Sequence, residues 1–356
     1  METHLRDQPT PPVLRRARVL AVSADLAEIE LLEGPLSGKR VPGVFYRELG
    51  DPPVEGDEVS ANTVGLEMKL GTGGVAVILP RAAAEVVPAN ANHFVKLPYT
   101  PLQFPALAAP QAETLDGVPI VVLPLHSHLA PACCAAGALR PGCSVAFVWQ
   151  EGGALPVALS NAVQELKGKG LLRTVVSCGN CFGGDLEAVN VYSGLLAAAQ
   201  VADLVLVGIG PGILGTGTPE GHGGMAAAIA ANAALALGGE PVLAPRISAA
   251  DPRGRHRGLS HHTRAALAAI LGGCRVAFPL DNTAWLFDRE IPDREIPDRE
   301  IPMRHSCVQV PYGAGGLDTR FGVTFESMGR CYEEDTVFFD AAAAAVALAL
   351  GEEFPR

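Results

Sequence analysis

The chain has 356 residues, of which 48% are hydrophobic and 18% charged, so we expect a folded protein of about two domains with a sizeable core. Its formal net charge of -11 argues against general binding to nucleic acid or to an anionic membrane surface. We see no signal-peptide pattern and no apolar segment long enough to span a membrane, and we expect the 8 cysteines to be thiols in a cytoplasmic protein.

Residues 14–82 are predicted to form a small β-barrel of OB-like or SH3-like type. Short alternating segments such as Glu28–Leu32 and Glu58–Val64 are separated by Gly-Pro and Gly-Asp turns. No face of this region combines aromatic and basic residues, so we expect a role in packing or in a homo-oligomer rather than in nucleic-acid binding. Residues 83–117, with the proline-containing run 98–105, are predicted to be a connector.

Residues 118–356 are predicted to form an α/β domain with a doubly wound, mainly parallel sheet, because short apolar strands alternate with helices. The expected strands are Ile120–Leu123, Ser144–Trp149, Arg173–Ser177, Leu204–Val207, Pro241–Ala244 and Val276–Phe278. The expected helices are Pro131–Leu139, Pro156–Lys167, Leu186–Ala199, Met225–Leu237 and Thr263–Leu271. The tandem Asp-Arg-Glu-Ile-Pro repeat at 288–302 is predicted to be an exposed loop, either a recognition segment or a chance duplication, since proline interrupts helices and central strands.

A glycine-rich loop between Gly208 and Gly224 follows one of these strands and precedes an alanine-rich helix. Ligands of parallel α/β sheets bind beyond the carboxyl ends of the strands, and a helix N-terminus favours an anion. The loop lacks the Lys-Ser/Thr ending of a nucleotide P-loop and fits the dinucleotide fingerprint poorly. It is either an anion cradle or a tight strand-to-helix connection. The candidate ligand-binding residues are Gly210, Gly212, Gly215, Thr216, Gly217 and Thr218.

The stretch after the fifth predicted strand is the most basic and histidine-rich of the chain. Arginine and histidine side chains suit a phosphate or a carboxylate, so the candidate ligand-binding residues here are Arg253, His256, Arg257 and Ser260. His261 and His262 are the candidate acid or base, with Asp185 and Asp251 as partner carboxylates. A solvated basic loop is the alternative, and Ser260 or Thr263 also suits the cap of the next helix.

Two pairs of residues have the spacing of metal ligands. His126 and His128 follow the first predicted strand of the α/β domain, and an extended segment would place both rings on one side. A divalent metal there competes with hydrogen bonding to an anionic substrate or with acid–base work. Cys178 and Cys181 form half of a zinc ligand set or a redox pair, or are buried spectator thiols.

Several motifs spread over nearly the whole chain resemble an uncharacterised bacterial family, domain of unknown function 3866. They are Leu-Gly-Thr-Gly-Gly (70–74), Tyr-Thr-Pro-Leu-Gln (99–103), Leu-His-Ser-His-Leu-Ala-Pro (125–131), Phe-Gly-Gly-Asp-Leu-Glu-Ala-Val-Asn (182–190), Gly-Pro-Gly-Ile-Leu-Gly-Thr-Gly-Thr (210–218), Asp-Pro-Arg-Gly-Arg-His-Arg-Gly-Leu-Ser-His-His-Thr (251–263) and Met-Gly-Arg (328–330). The resemblance implies no activity. Cys181 departs from the family's pattern, which weakens a metal or redox role for the cysteine pair.

These patterns favour an enzyme that acts on a small phosphorylated or carboxylated metabolite by hydrolysis or other acid–base chemistry. The alternative is a non-catalytic sensor or scaffold protein that only binds its ligand. The two differ in one geometric respect: a catalyst needs imidazole and carboxylate groups that meet at one cavity, whereas histidines on separate surfaces would favour the binding protein.

Overall fold

A computed structural model describes residues 14–24, 26–67, 74–80, 93–115, 117–216, 218–280 and 301–351. The repeat at 288–302 therefore lies outside the described residues except for Ile301 and Pro302. Contacts divide the chain into a β unit, which extends to Pro105, and an α/β unit, which begins at Ala106 and also includes residues 93 and 94. None of the described helices has the length and apolarity to cross a membrane. All eight cysteines are free thiols, as predicted.

The first unit contains a closed five-stranded barrel with the strand order β1-β2-β3-β5-β4. Its strands are β1 (Leu14–Ser23), β2 (Leu26–Leu31), β3 (Arg40–Val44), β4 (Glu58–Asn62) and β5 (Ala76–Ile78), and a short helix, α1 (Val64–Glu67), precedes β5. β1 pairs antiparallel with β4 to close the barrel, and β3 pairs parallel with β5. The structure thus confirms a small β-barrel in this part of the chain.

The barrel forms because its strands alternate apolar and polar residues. Alternate side chains, such as Ala17 and Val19 on β1 or Ile29 and Leu31 on β2, are buried inside it, while the residues between them face outward. A role of the barrel in packing or in a homo-oligomer stays a prediction.

The described part of the predicted connector contains a pair of short strands, β6 (His93–Lys96) and β7 (Phe104–Leu107). The predicted domain boundaries themselves stay a prediction.

The α/β unit is built on an eight-stranded parallel sheet, which confirms the predicted fold class of a barrel followed by an α/β domain. The strands are β8 (Ile120–Leu123), β9 (Val145–Gln150), β10 (Thr174–Cys178), β11 (Leu186–Ala188), β12 (Leu204–Ile209), β13 (Pro241–Leu243), β16 (Arg275–Pro279) and β17 (Ser306–Val310). Their order across the sheet is β11-β10-β9-β12-β8-β13-β16-β17. A small antiparallel pair, β14 (Ile247–Ser248) and β15 (Gly258–Leu259), lies in the connection after β13.

Helices cover both faces of this sheet. One face packs on α2 (Leu129–Leu139), α3 (Asn161–Gly168), α7 (Leu317–Phe321) and α8 (Thr336–Ala349), and the other on α4 (Val191–Val201), α5 (Ala226–Ala236) and α6 (His261–Ala269). The strands alternate between the two cores: on β8, Val121 and Leu123 face the first core, whereas Ile120 and Val122 face the second. Both faces are thus apolar, which explains the nearly uninterrupted hydrophobic strands.

Two predicted helices begin later than the sequence pattern indicates. The predicted helix Pro156–Lys167 starts as α3 only at Asn161, after a 3₁₀ turn at Val157–Leu159. The predicted helix Leu186–Ala199 is also shorter at its start. Residues Leu186–Ala188 form strand β11, which pairs parallel with β10, and the helix α4 starts only at Val191. Asn190 determines this start, because its side chain accepts a hydrogen bond from the backbone N–H of Ser193 in a capping box. The prediction of a helix from Leu186 was therefore wrong at its first turn.

The connections of the sheet change direction at β12, which lies between β9 and β8. Helices that follow β8 and β9 lie on one face, whereas those that follow β12 and β13 lie on the other. Loops that leave neighbouring strands toward opposite faces open a crevice at the carboxyl ends of those strands, which is the usual ligand position in such sheets.

Candidate functional site

A cavity of about 600 Å³ lies at this crevice. Its wall comes from the loops after β8, β12 and β13 and from a turn near residue 327. The lining residues are Leu125, His126, Ser127, Ala162, Gly210, Pro211, Gly212, Ile213, Gly215, Thr218, His222, Arg246, Arg253, Arg255, His256, His261, His262, Glu326, Ser327 and Met328. The charged groups of the described lining are three arginines and one glutamate, so the wall is positive overall.

The hairpin of β14 and β15 forms the basic side of the cavity. It returns the chain so that the backbone N–H of Ser260 donates to the carbonyl oxygen of Arg246 at 2.9 Å. Ser260 then caps α6: its hydroxyl oxygen accepts from the backbone N–H of His262 at 3.2 Å. The cap places His261 and His262 in the first helical turn, beside the cavity. Ser260 lies behind the lining residues, so of its two sequence interpretations the structure shows the cap.

Asp251 organises the arginines behind this wall. It is buried, and Arg253 binds it with two nitrogens, Nε to Oδ1 at 2.9 Å and Nη2 to Oδ2 at 2.8 Å. Arg246 donates to Oδ2 at 3.3 Å, and Arg330 lies 3.9 Å from the same oxygen. Asp251 is thus the centre of an ion-pair network and is not itself a lining residue.

Within this network, Asp251 and Arg246 are both charged at neutral pH. Burial alone would raise the pKa of Asp251, but hydrogen bonds from Arg253 and the charges of Arg253 and Arg246 outweigh it and hold that pKa well below its usual range. Burial and the neighbouring Arg253 lower the pKa of Arg246 to about 10, so Arg246 is still a cation at neutral pH. A carboxylate saturated by arginines is a poor proton acceptor, which does not favour the predicted catalytic role of Asp251.

Three histidine rings meet beside the arginines. His222 comes from the loop before α5, and its ring stacks on the ring of His262 with centroids 3.8 Å apart. The centroid of His261 lies 4.3 Å from that of His262 and 5.5 Å from that of His222. One ring nitrogen of each residue lies within 4.8 Å of those of the other two. The sheet therefore brings together two histidines that are adjacent in sequence and a third that is distant.

The hydrogen bonds of these rings identify their free nitrogens. Nε2 of His222 lies 2.9 Å from the carbonyl oxygen of Pro219, and because a carbonyl only accepts, Nε2 carries the proton. Nδ1 of His222 and both ring nitrogens of His261 are buried without a hydrogen-bond partner among the described residues. Nδ1 of His262 accepts from Arg246 at 3.3 Å. The group therefore offers buried lone pairs to a ligand.

These rings are neutral at physiological pH. Burial, followed by His222 and Arg255, lowers the pKa of His261 to about 4. Burial also lowers the pKa values of His222 and His262. Arg246 adds to the shift of both rings, and the neighbouring His222 and His261 add to that of His262. Neutral imidazole is the form that accepts a proton or coordinates a metal.

His256 forms a second layer behind these rings. Its Nδ1 lies 2.8 Å from the hydroxyl oxygen of Ser260, and its Nε2 accepts from Nε of Arg255 at 3.4 Å. Both ring nitrogens are thus engaged within the loop. His256 is one of the lining residues, but its ring nitrogens bind Arg255 and Ser260 and are not available to a ligand.

His126 and His128 do not share a site. Residues His126–His128 form one 3₁₀ turn, so the extended geometry that would align the two rings is absent. Nδ1 of His126 donates to the carbonyl oxygen of Ile209 at 3.2 Å, and Ser160 occupies Nε2 at 2.7 Å. His128 is buried, and its ring packs on Phe338 with centroids 4.6 Å apart. The metal predicted at this pair stays a prediction, which the geometry does not favour.

Asp185 lies away from the cavity. It forms a half-exposed ion pair with Lys167, and its Oδ2 accepts from the backbone N–H of Val175 at 2.8 Å. Val175 belongs to the amino-terminal half of β10, whereas the cavity is at the carboxyl ends of the strands. Its position therefore does not support the predicted partnership between Asp185 and the histidines.

Two glycines, Gly153 beside the glycine-rich loop and Gly223 within it, are required by the close approach of two backbones. A Cβ on Gly153 would lie 2.3 Å from the carbonyl oxygen of Gly210, and one on Gly223 would lie 1.9 Å from that of Gly152. The backbone N–H groups of Leu214, Thr216 and Gly223 bond to carbonyl oxygens of Gly152, Gly221 and Leu214, respectively. The loop therefore presents fewer free N–H groups than its composition indicates, although Gly210, Gly212, Gly215 and Thr218 line the cavity.

Among the other predicted ligand-binding residues, Thr216 bonds within its own loop, to Gly221 and Thr218, and Arg257 is exposed outside the lining. Gly217 lies outside the described residues. His222, Arg246 and Arg255 also line the cavity, but they were not among the candidate residues predicted from the sequence. Arg246 could have been predicted as a site residue, because it closely follows the predicted strand Pro241–Ala244.

Met328 closes one side of the cavity in a strained conformation. Its φ of 53° lies in the left-handed region, which is unfavourable for a methionine. Paired backbone hydrogen bonds between Ser327 and Arg330, at 2.9 and 3.0 Å, hold this turn. The sulfur of Met328 lies 3.0 Å from a guanidinium nitrogen of Arg253, so the turn covers the arginine side of the wall.

Comparison with known proteins identifies the family of this chain and no more. The model of a family described as protein of unknown function (DUF3866) matches residues 43–346, so the chain belongs to that family. No curated protein and no solved structure matches the chain.

Proposed function

We propose that the protein is an enzyme that binds a small phosphorylated or carboxylated metabolite in the cavity and acts on it by hydrolysis or related acid–base chemistry. The observation that carries this proposal is the meeting of Arg246, Arg253 and Arg255 with neutral histidines around one cavity. Guanidinium groups recognise phosphate and carboxylate oxygens, and a cavity of about 600 Å³ accommodates a metabolite-sized molecule.

The chemistry follows from the imidazoles. A neutral ring accepts a proton from water while the water oxygen forms a bond to the phosphorus or carbonyl carbon of an ester. The bond from that atom to the leaving oxygen breaks, and the imidazolium returns its proton to the leaving oxygen, which becomes an alcohol. His261 is the best placed acceptor, because both of its ring nitrogens are buried without a partner in the described part of the chain. Arg246 and Arg253 stabilise the charge that develops on the anion.

Anion binding is tested with two arginines of one loop. Arg255 lines the cavity, whereas Arg257 is exposed outside it, so Arg255→Gln and Arg257→Gln remove the same charge from two positions. We expect the affinity for inorganic phosphate, measured by calorimetry, to fall about tenfold in the first variant and to change little in the second. Equal losses in both variants would assign the effect to net charge and contradict the proposed site.

Catalysis is tested by hydrolysis assays on a panel of phosphate monoesters and carboxylate esters, with His261→Ala as the variant. Turnover that is lost in this variant while phosphate binding persists supports the enzyme. Tight binding of an anion with no turnover in the wild type would favour the sensor or scaffold protein.

A further inference from the structure

The histidine cluster has the composition and spacing of a metal site. Among the residues that the structure describes, His222, His261 and His262 are the group of three or more potential ligands whose donor atoms all lie within 4.8 Å of one another. Two of the three follow one cap on α6, and the third is fixed by its bond to Pro219 at 2.9 Å.

Unsatisfied nitrogens provide a second, independent observation. A buried polar atom without a partner is energetically unfavourable, so native proteins rarely retain one without a bound ion or water. Nδ1 of His222 and both ring nitrogens of His261 are such atoms. The bond from Nε2 of His222 to Pro219 also fixes the tautomer, which leaves the Nδ1 lone pair available. Fixing the second nitrogen of a ligand histidine by a carbonyl is the usual support of a metal site.

We propose that His222, His261 and His262 bind one divalent transition-metal ion, with zinc as the first candidate. Three neutral imidazoles suit zinc, and three protein ligands leave a fourth position for water or substrate on the cavity side. Zinc–nitrogen bonds of about 2.0–2.1 Å require the donor atoms to approach by roughly 1 Å from their present spacing. The metal then activates the attacking water in place of His261. This inference therefore rests on the proposed function for the class of substrate, but not for the identity of the base.

The neighbouring arginines determine how metal and anion influence each other. Coordination by Nδ1 of His262 displaces Arg246 from that atom, while Arg246 retains its bond to Asp251 at 3.3 Å. A dication beside Arg246 and Arg253 is electrostatically unfavourable by itself, and an anion in the cavity offsets that repulsion. We therefore expect an anion to raise the affinity for the metal, and the metal to raise the affinity for the anion by the same factor.

The test is a titration of the full chain, purified without an affinity tag and stripped with a chelator. We expect one Zn²⁺ per chain by calorimetry and a Co²⁺ visible spectrum typical of nitrogen coordination. His222→Ala and His261→Ala are expected to weaken Zn²⁺ binding by more than about 100-fold, since loss of a direct ligand exceeds the loss of a supporting bond. His93→Ala, at an exposed position outside the lining, is the matched control and is expected to retain full affinity.

Other results would overturn the inference. Absence of stoichiometric binding would do so, as would binding that survives His222→Ala and His261→Ala but is lost in His126→Ala. Thermal unfolding of each metal-free variant shows whether it is folded before titration. Sulfate serves as the anion probe for coupling, and the expected result is tighter Zn²⁺ binding in its presence.

The inference and the proposed function fail separately. If phosphate binds through Arg255 but zinc does not bind, the metal site is wrong and the anion site stands. If zinc binds to the three histidines but neither phosphate nor any ester is bound, the metal site stands and the proposed substrate class is wrong.

Discussion

The turn after β8 and the loops after β12 and β13 both bring histidines to the same edge of the sheet. The two regions differ in the surroundings of the histidine rings. In the first region, hydrogen bonds to Ile209 and Ser160 occupy both nitrogens of His126, and His128 is buried against Phe338. In the second region, His222 and His261 retain buried nitrogens without partners. The ring nitrogens of His128 also have no hydrogen-bond partner among the described residues, but His128 does not line the cavity, whereas His222 and His261 do. Of the two regions, only the second thus presents unpartnered ring nitrogens of described residues to the cavity.

The difference has a cause in local geometry. A 3₁₀ turn after β8 sends neighbouring side chains in different directions, one toward β12 and the other toward α8. In the second region, the hairpin before α6 and the cap at Ser260 place two consecutive residues at a helix start that faces the loop containing His222. Burial of the rings lowers their pKa values and keeps them neutral, and the nearby arginines held by Asp251 add to this effect.

The largest expected effect is the loss of the carboxylate that holds the second region together. Asp251→Asn leaves Arg246 and Arg253 near one another without a compensating charge, so we expect the free energy of unfolding to fall by about 3–5 kcal/mol. Urea denaturation measures it. Asp185→Asn is the control, because the ion pair of Asp185 with Lys167 is half-exposed and is expected to contribute about 1 kcal/mol or less. Similar losses in both variants would show that Asp251 is not the centre of a network.

Two glycines of the loop after β12, Gly223 and Gly215, are expected to differ in their importance for packing. A methyl group on Gly223 would lie 1.9 Å from the carbonyl oxygen of Gly152, so Gly223→Ala must displace one of the two loops. We expect a loss of about 1–3 kcal/mol of stability by thermal unfolding, together with weaker phosphate binding. In Gly215→Ala the nearest atom, Cβ of His222, is 3.4 Å away, and we expect stability close to the wild type. The opposite ranking would contradict this assignment.

Much of the fold could be predicted because its signals are local. Alternation with period two indicated the barrel, and apolar strands between helices indicated the parallel sheet. The start of α4 was missed because Asn190 caps it, and the residues before this cap, Leu186–Ala188, pair with β10 instead. That pairing is a tertiary contact, which hydrophobic pattern alone does not contain.

The site was predicted only in part. The rule that ligands bind at the carboxyl ends of strands directed attention to residues such as Arg253 and His261, which line one cavity in the structure. It could not show that arginines already saturate Asp251, or that Asp185 lies toward the other end of β10. The role of His222 depends on the stacking of its ring on that of His262, which lies 40 residues later in the sequence. Such distances follow from packing and not from spacing in the sequence.

The buried histidines are expected to make stability depend on pH. Burial lowers the pKa of His128 to about 3 in the folded state, whereas an unfolded histidine titrates near 6.5. As pH falls below 6.5, the unfolded chain binds a proton at this histidine before the folded chain does. The free energy of unfolding therefore decreases, by at most about 1.4 kcal/mol per pH unit for each such histidine. We expect His128→Leu to reduce the slope of unfolding free energy between pH 7 and pH 5.

The measurement is urea denaturation at a series of pH values. His93→Gln is the control, because His93 is exposed, and we expect it to leave the slope unchanged. An unchanged slope in His128→Leu would mean that His128 is already protonated in the folded protein or is not buried there.

The smallest expected change in stability comes from two serine variants, whose effects on ligand binding distinguish the two regions. Ser160 caps α3 and binds His126, and Ser260 caps α6 and binds His256, so the two serines have equivalent local roles. Either Ser→Ala variant is expected to lose about 1 kcal/mol of stability, because each removes a cap. Only Ser260→Ala should also weaken phosphate and Zn²⁺ binding, since this cap positions the first turn of α6 and its histidines. If Ser160→Ala weakened both ligands as strongly, the β8 turn would be part of the binding site, and the contrast between the two regions would be wrong.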